Sequence, residues 1–256
     1  PFTTFLEINS TDVTKIFFKN LNYLMLPFIF YILYLSLDSN NYIYGRLAPE
    51  NLQPNFLGEG ILVYIFTSIF YKKDYLKIIS LLAGFYLLFL LQSRGNLISG
   101  FFFIVLFYYL QSKHKLILLA ISAILVFLFK DFIISELLLL DNPYRGLGTN
   151  FSNRTEGWYT GIKIFSENIF FGSGYGTNSF IHNGYIRMYS ELGIMISFLI
   201  TFILIRIIFY NFNKIFKNNI LDRYLISIYL SYILNYFFSP RYINLNIMSV
   251  FFFFII

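Results

Sequence analysis

Phe101-Phe-Phe-Ile-Val-Leu-Phe-Tyr-Tyr-Leu110 decides the architecture of this chain. A membrane β-strand alternates polar and apolar side chains over about 10 residues. This run does not alternate, so it reads as part of an apolar helix. A helix needs roughly 20 predominantly apolar residues to cross a bilayer core. Working outward, eight apolar segments stand out: Leu21–Leu37, Phe56–Tyr71, Tyr75–Leu91, Leu97–Leu110, Leu116–Phe129, Leu192–Tyr210, Leu225–Phe238 and Ile243–Ile256. The shorter ones borrow flanking Tyr, Ser and Asn, or tilt little. The expected fold class is all-α: a polytopic transmembrane helix bundle of eight spans, one integral membrane domain over residues 1–256.

Composition excludes the main alternatives. The 256 residues are 57% hydrophobic and 12% charged. Soluble domains are roughly 45–50% apolar and about 25% charged. So little charge cannot cover a water-soluble globule, and disorder needs the opposite balance. The net charge of +6 belongs, in a membrane protein, to short loops facing anionic lipid. Membrane lipid is thus an expected partner and nucleic acid is not. With no cysteine, thiol nucleophiles, disulfides, Cys-ligated zinc and iron–sulfur clusters are out. The first residue is Pro1 and no signal-peptide pattern precedes it. The sequence reads as a piece of a longer chain.

The loops give a topology. Lys15, Lys19, Lys72, Lys73, Lys77, Lys113, Lys115, Lys214 and Lys217 fall at alternate span ends, all on one side. The positive-inside rule makes that side cytoplasmic. Cations on the other side are mostly arginine: Arg46, Arg94, Arg145, Arg154, Arg187 and Arg241, joined by Lys130 and Lys163. A planar guanidinium forks onto phosphate or carboxylate, where lysine is a point charge. The plainer reading is a set of snorkelling interfacial residues.

One external connection is long, from Lys130 to His182. Loops beyond about 15 residues are usually functional or disordered, and this one lacks a disordered composition. Asn153 as N-cap, with Glu156 three residues on, predicts an amphipathic helix from Arg154 to Glu167. Its apolar face would carry Trp158, Ile162 and Phe165, and it would lie near the outer membrane boundary. Gly172-Ser-Gly-Tyr-Gly176 follows. It is either a turn or a close backbone approach to a ligand, and is weak as a phosphate motif. His182, one of two histidines, stands where the segment re-enters the bilayer. An imidazole there, kept neutral by nearby arginines, can accept a proton. Arg187 and Glu191 share a helix face four residues apart and can pair with each other.

These residues resemble a known family. Gly45-Arg46 with Asn55, Ser93-Arg94-Gly95-Asn96, Arg154 with Trp158, Gly172-Ser-Gly-Tyr-Gly176, His182-Asn183 and Glu191-Leu192-Gly193 occur in one order along residues 45–240. Together they resemble the O-antigen ligase / O-antigen polymerase superfamily of bacterial membrane glycosyltransferases. Members usually have more spans, so the resemblance implies that N-terminal helices of the full family are missing here. It also implies a multi-pass protein of the bacterial cytoplasmic (inner) membrane, with its active site facing the periplasm or exterior. Such a protein takes glycan from undecaprenyl diphosphate and joins it to an acceptor sugar hydroxyl. On this resemblance Arg94, Arg154 and Arg46 would hold the diphosphate, and His182 would be the catalytic base. Arg187, Glu191 and Asn183 are secondary substrate-binding candidates. No Asp-x-Asp motif occurs, so no metal and no cofactor are expected, and displacement would invert the anomeric carbon.

Two acceptors remain open. A polymerase would use another carrier-linked repeat unit of an O-antigen or capsular polysaccharide, and a ligase would use lipid A–core. The modest external segment favours the polymerase. A non-catalytic lipid-carrier or polysaccharide transporter is the third reading. Intramembrane ionisable residues usually mark transport pathways, and Glu59 and Arg206 lie only near span ends. The arginines and the imidazole are expected to gather at one outward-facing pocket.

Overall fold

A computed structural model describes residues 10–43, 45–49, 52–114, 150–178, 180–215 and 220–238, with isolated positions between 117 and 130. Among them seven α-helices occur: α1 (Ser10–Leu35), α2 (Pro54–Ser68), α3 (Asp74–Leu90), α4 (Arg94–Gln111), α5 (Asn150–Glu167), α6 (Gly184–Ile215) and α7 (Ile220–Phe238). Strand is confined to a short hairpin of β1 (Tyr42–Ile43) and β2 (Arg46–Leu47), with Tyr42 opposite Leu47. The described residues form two compact units, one up to Gly100 and one from Phe101 onward.

In the first unit α2 is the core. Every residue from Leu57 to Ser68 is buried. Asn22 of α1 donates to the Tyr64 carbonyl (3.1 Å) and to Thr67 Oγ1 (2.8 Å) of α2. These bonds satisfy polar groups away from water, where an unmade bond is expensive. Small residues bring the neighbouring helices close. A Cβ on Gly84 of α3 would press on Ile65, and one on Gly100 of α4 would press on Leu62 and Phe85. Membrane helices pack in this way, because small residues let backbones approach.

In the second unit Tyr224 of α7 is fully buried between the rings of Phe103 and Phe107, edge to face at 5.8 and 6.0 Å. Tyr185 of α6 donates to the Ile233 carbonyl (3.2 Å) and meets Tyr236 edge to face. Ser227 and Ser231 of α7 satisfy their hydroxyls on carbonyls one turn back.

Burial is distributed as lipid requires. Asn22, Glu59, Asn96, Arg187, Glu191 and Ser197 lie inside, while Leu24, Phe30, Leu82, Met195, Phe198 and Phe202 are exposed. Water would select the reverse arrangement. By length and composition two stretches are apolar enough to cross a membrane, Lys15–Leu35 and Gly184–Ile203, the second of them interrupted at Gly193. The helical class is borne out, and the expected eight spans are not confirmed among the described residues. Phe56–Tyr71 illustrates why. Its helix is 15 residues, about 22 Å at 1.5 Å per residue, against a hydrocarbon core of about 30 Å. Six of the eight segments do coincide with helices. Leu116–Phe129 is described only in part, and Ile243–Ile256 lies outside the described residues.

Two local expectations are corrected. Helix α5 begins at Asn150, so Asn153 sits inside it and not at its cap. The α5 face turned inward carries Gly157 and Gly161, whereas Ile162 is 57% exposed. Phe165 does pack edge to face on Tyr189, but the closest approach is made by the glycines. A Cβ on Gly161 would run into Ile181 and Ile186, and one on Gly157 would lie 3.3 Å from the Phe180 carbonyl oxygen.

Candidate functional site

In the first unit the chain builds a polar knot around Asn55, at the start of α2. Its Oδ1 accepts from Arg46 Nη2 (3.0 Å) and from Ser93 Oγ (3.3 Å). Its backbone carbonyl accepts from Asn96 Nδ2 (3.2 Å), which also donates to Ser93 Oγ (2.9 Å). Arg46 Nε donates to the Leu91 carbonyl at the end of α3 (2.7 Å). The β-hairpin, α2 and the α3–α4 turn are thereby tied together. Gly58 leaves room for the knot, since a Cβ there would overlap Asn96 and Ser93. Ser93 stands immediately before α4, and its carbonyl accepts from the Leu97 amide (2.9 Å). Arg94 is the first helical residue, half-buried. Arg46 is a member of this network, and Arg94 directly follows its member Ser93.

In the second unit the decisive feature is a break in α6. Gly193 has φ 68° and ψ −177°, so residues 184–192 and 194–215 are separate helices. A break leaves carbonyls on the first helix and amides on the second without intrahelical partners. Four of these groups are met by specific partners. Ser197 Oγ donates to the Met188 carbonyl (3.0 Å). The amides of Ser173 and Gly174 donate to the carbonyls of Ser190 (2.9 Å) and Glu191 (3.0 Å), and the Ile194 amide donates to the Ile169 carbonyl (2.7 Å). In an unbroken helix positions 188 and 197 would stand roughly 13 Å apart along the axis. The bond between them shows that the two halves fold toward each other.

Gly172-Ser-Gly-Tyr-Gly176 wraps this break. Glu191 is 1% exposed. Its Oε2 accepts from the Gly176 amide (2.7 Å), and its Oε1 accepts from the Asn178 amide (2.9 Å) and from Arg187 Nε (2.8 Å). The glycine loop is thus a cradle for an anion, and the anion is the protein's own carboxylate. Arg187 supplies the compensating charge, so the pairing alternative for Arg187 and Glu191 is the one formed. Asn183 is likewise structural: its Oδ1 accepts from the Ile186 amide (3.0 Å), three residues on, as an N-cap does. His182 precedes that cap, half-buried, with Nδ1 shielded from solvent. Arg154 belongs to α5, whose Gly157 and Gly161 abut the segment from Phe180 to Ile186. Arg145 and Arg241 lie outside the described residues.

Residues 79–201 match the sequence profile of a family described as O-antigen ligase. The match supports the resemblance to the O-antigen ligase/polymerase superfamily. Members of that family are glycosyltransferase-like enzymes. The matched stretch contains Arg94, Arg154, His182, Asn183, Arg187 and Glu191, whereas Arg46 and Asn55 precede it. No curated protein matches the chain, and no solved structure does.

Sequence reasoning passed over Asn178 and Ser197, and placed Asn55 and Asn96 only within motifs. A signal was available for Ser197. It follows Gly193 by four residues, on an otherwise apolar helix, where a glycine in a helical pattern hints at a break.

Proposed function

We propose that this chain is a multi-pass enzyme of the bacterial cytoplasmic membrane. It transfers glycan from undecaprenyl diphosphate to an acceptor sugar hydroxyl on the outer side. The supporting observation is that the matched stretch holds Arg94, Arg154 and His182, with Arg94 directly after the hydrogen-bonded Ser93 and His182 directly before the Asn183 cap. The acceptor oxygen attacks the anomeric carbon, the bond to the diphosphate oxygen breaks with inversion, and the hydroxyl proton passes to His182. The arginines stabilise charge that grows on the departing diphosphate, where fixed cations lower the barrier most. In this scheme no divalent metal is needed.

The preferred acceptor is a second carrier-linked repeat unit, which makes the chain an O-antigen or capsular polysaccharide polymerase. The description of the matched family favours a second reading, ligation onto lipid A–core. Complementation of strains lacking either activity separates the two. A polymerase restores a ladder of chain lengths, and a ligase restores glycan on lipid A–core. In whichever strain is rescued, His182→Ala lowers product formation by about 10²–10⁴-fold at unchanged membrane abundance, the usual range for a lost general base. Arg94→Lys impairs the same step, because an ammonium cannot fork onto a diphosphate. Wild-type product from His182→Ala rejects the assigned mechanism.

A further inference from the structure

The α6 break places an uncharged aromatic turn beside a helix of membrane length. Helix 194–215 has 22 residues by the bounds of its two ends, about 33 Å at 1.5 Å per residue, enough for a core of about 30 Å. Its first turns expose Ile194, Met195, Ile196, Phe198 and Leu199. Ile169-Phe170-Phe171 is docked on the start of that helix. The Ile169 carbonyl accepts from the Ile194 amide (2.7 Å). The backbone of Phe170 and Phe171 lies so close to Gly193 that a Cβ there would collide with it. The side chains nonetheless point away from protein: Phe170 is 65% exposed and Phe171 is 82% exposed.

We propose that the Ile169–Phe171 turn is inserted in the lipid bilayer, in the interfacial layer of the leaflet where helix 194–215 begins. Three observations select lipid as the occupant. The exposed turn is continuous with the exposed apolar flank of helix 194–215, through direct backbone contact. Residues 168–181 contain no charged side chain, so nothing resists entry into the headgroup–acyl boundary. The residues at the tip are phenylalanine and isoleucine, which offer a sugar or a polar partner no hydrogen bond. Arg187 and Glu191 of α6 are turned inward onto each other, and the exposed Glu167 ends α5 before the turn begins. The turn therefore anchors the end of α6 that carries the glycine loop, and fixes the depth at which His182 and its helix cap stand.

The chain has no cysteine, so single-cysteine variants report one site each. Phe171→Cys and Phe170→Cys are spin-labelled in the full chain, reconstituted in phosphatidylcholine–phosphatidylglycerol vesicles. Collision with oxygen, which concentrates in lipid, is compared with collision with a water-soluble nickel chelate. Phe198→Cys serves as the lipid reference and Lys163→Cys, on exposed α5, as the water reference. The labels at 170 and 171 are expected to follow Phe198→Cys, with oxygen favoured over nickel. Either label following Lys163→Cys, with free access for nickel, overturns the proposal and leaves the turn facing water or a soluble partner. The measurement is independent of glycan transfer, so its failure and that of the proposed reaction are distinguishable.

Discussion

Gly193→Ala loses the α6 break and melts far below the wild type. Two effects add. A φ of 68° with ψ near 180° is a region open essentially to glycine alone, and occupying it costs a side-chain-bearing residue about 1–3 kcal/mol. The new Cβ would also overlap the Phe170 carbonyl group, which is backbone and cannot swing away. Relief of that overlap pulls the Ile169–Phe171 turn off the helix and breaks the bond from Ile194 to Ile169. The total is at least about 4 kcal/mol, in the range reserved for core disruption and special backbone strain. Gly172→Ala does similar damage from the other side, since its Cβ would meet the Glu191 carbonyl. Gly176→Ala provides the contrast. Its φ is 83°, but nothing lies within 4 Å of its Cβ position, so only a left-handed strain of about 1–2 kcal/mol is felt. Thermal unfolding in detergent, followed by far-ultraviolet circular dichroism, ranks the three. Equal melting temperatures for Gly193→Ala and Gly176→Ala reject the account of the close approach.

The helical architecture was legible because its signal is repeated over many residues. Long apolar runs with no alternation leave a helix as the way to satisfy backbone groups without water. Six of the eight marked segments lie on helices for that reason. The boundary at Leu192 falls beside the true start of the second α6 helix at Ile194, because apolar content changes there. The break itself was not visible, because nothing local in Glu191-Leu192-Gly193 says that a loop lying 15–17 residues earlier will supply the missing donors. Helix α5 shows the same limit. Hydrophobic periodicity pointed to Trp158, Ile162 and Phe165; Phe165 does pack on Tyr189, but Ile162 is exposed and the closest approach is made by Gly157 and Gly161. For the candidate site, residue type nominates Arg94, Arg154 and His182, whose chemistry is local. It could not reveal that Arg46 is engaged by Leu91 and Asn55, or that the glycine loop encloses a carboxylate of its own chain, because both depend on contacts made across the fold.

Glu191→Gln should be the most damaging single change to an ionisable residue in the second unit. Its carboxylate accepts from two loop amides and from Arg187, all at 2.7–2.9 Å and away from solvent. The amide replacement turns one oxygen into a donor, which must then face the Gly176 or the Asn178 amide or Arg187, all donors. It also removes the negative charge beside a buried guanidinium. Breaking a buried pair by removing one partner costs about 3–5 kcal/mol, because the remaining charge is left uncompensated. The two partners are not equivalent. A guanidinium cannot shed its proton at any ordinary pH, whereas a carboxylate can take one up. Arg187→Met should therefore be milder than Glu191→Gln, since Glu191 keeps both amide donors and can become neutral. Melting temperatures of the two variants and of Arg187→Met/Glu191→Gln test the order. In the double variant no guanidinium remains beside the new amide, so part of the Glu191→Gln loss should be recovered. A Glu191→Gln chain within about 0.5 kcal/mol of the wild type, the scatter expected of ordinary surface substitutions, would show that the glycine loop does not depend on this carboxylate. The same variant separates structure from chemistry. If Glu191 only holds the loop, conditions that restore folding also restore glycan transfer. A Glu191→Gln chain that folds in full yet transfers no glycan would instead assign the carboxylate a direct role toward substrate.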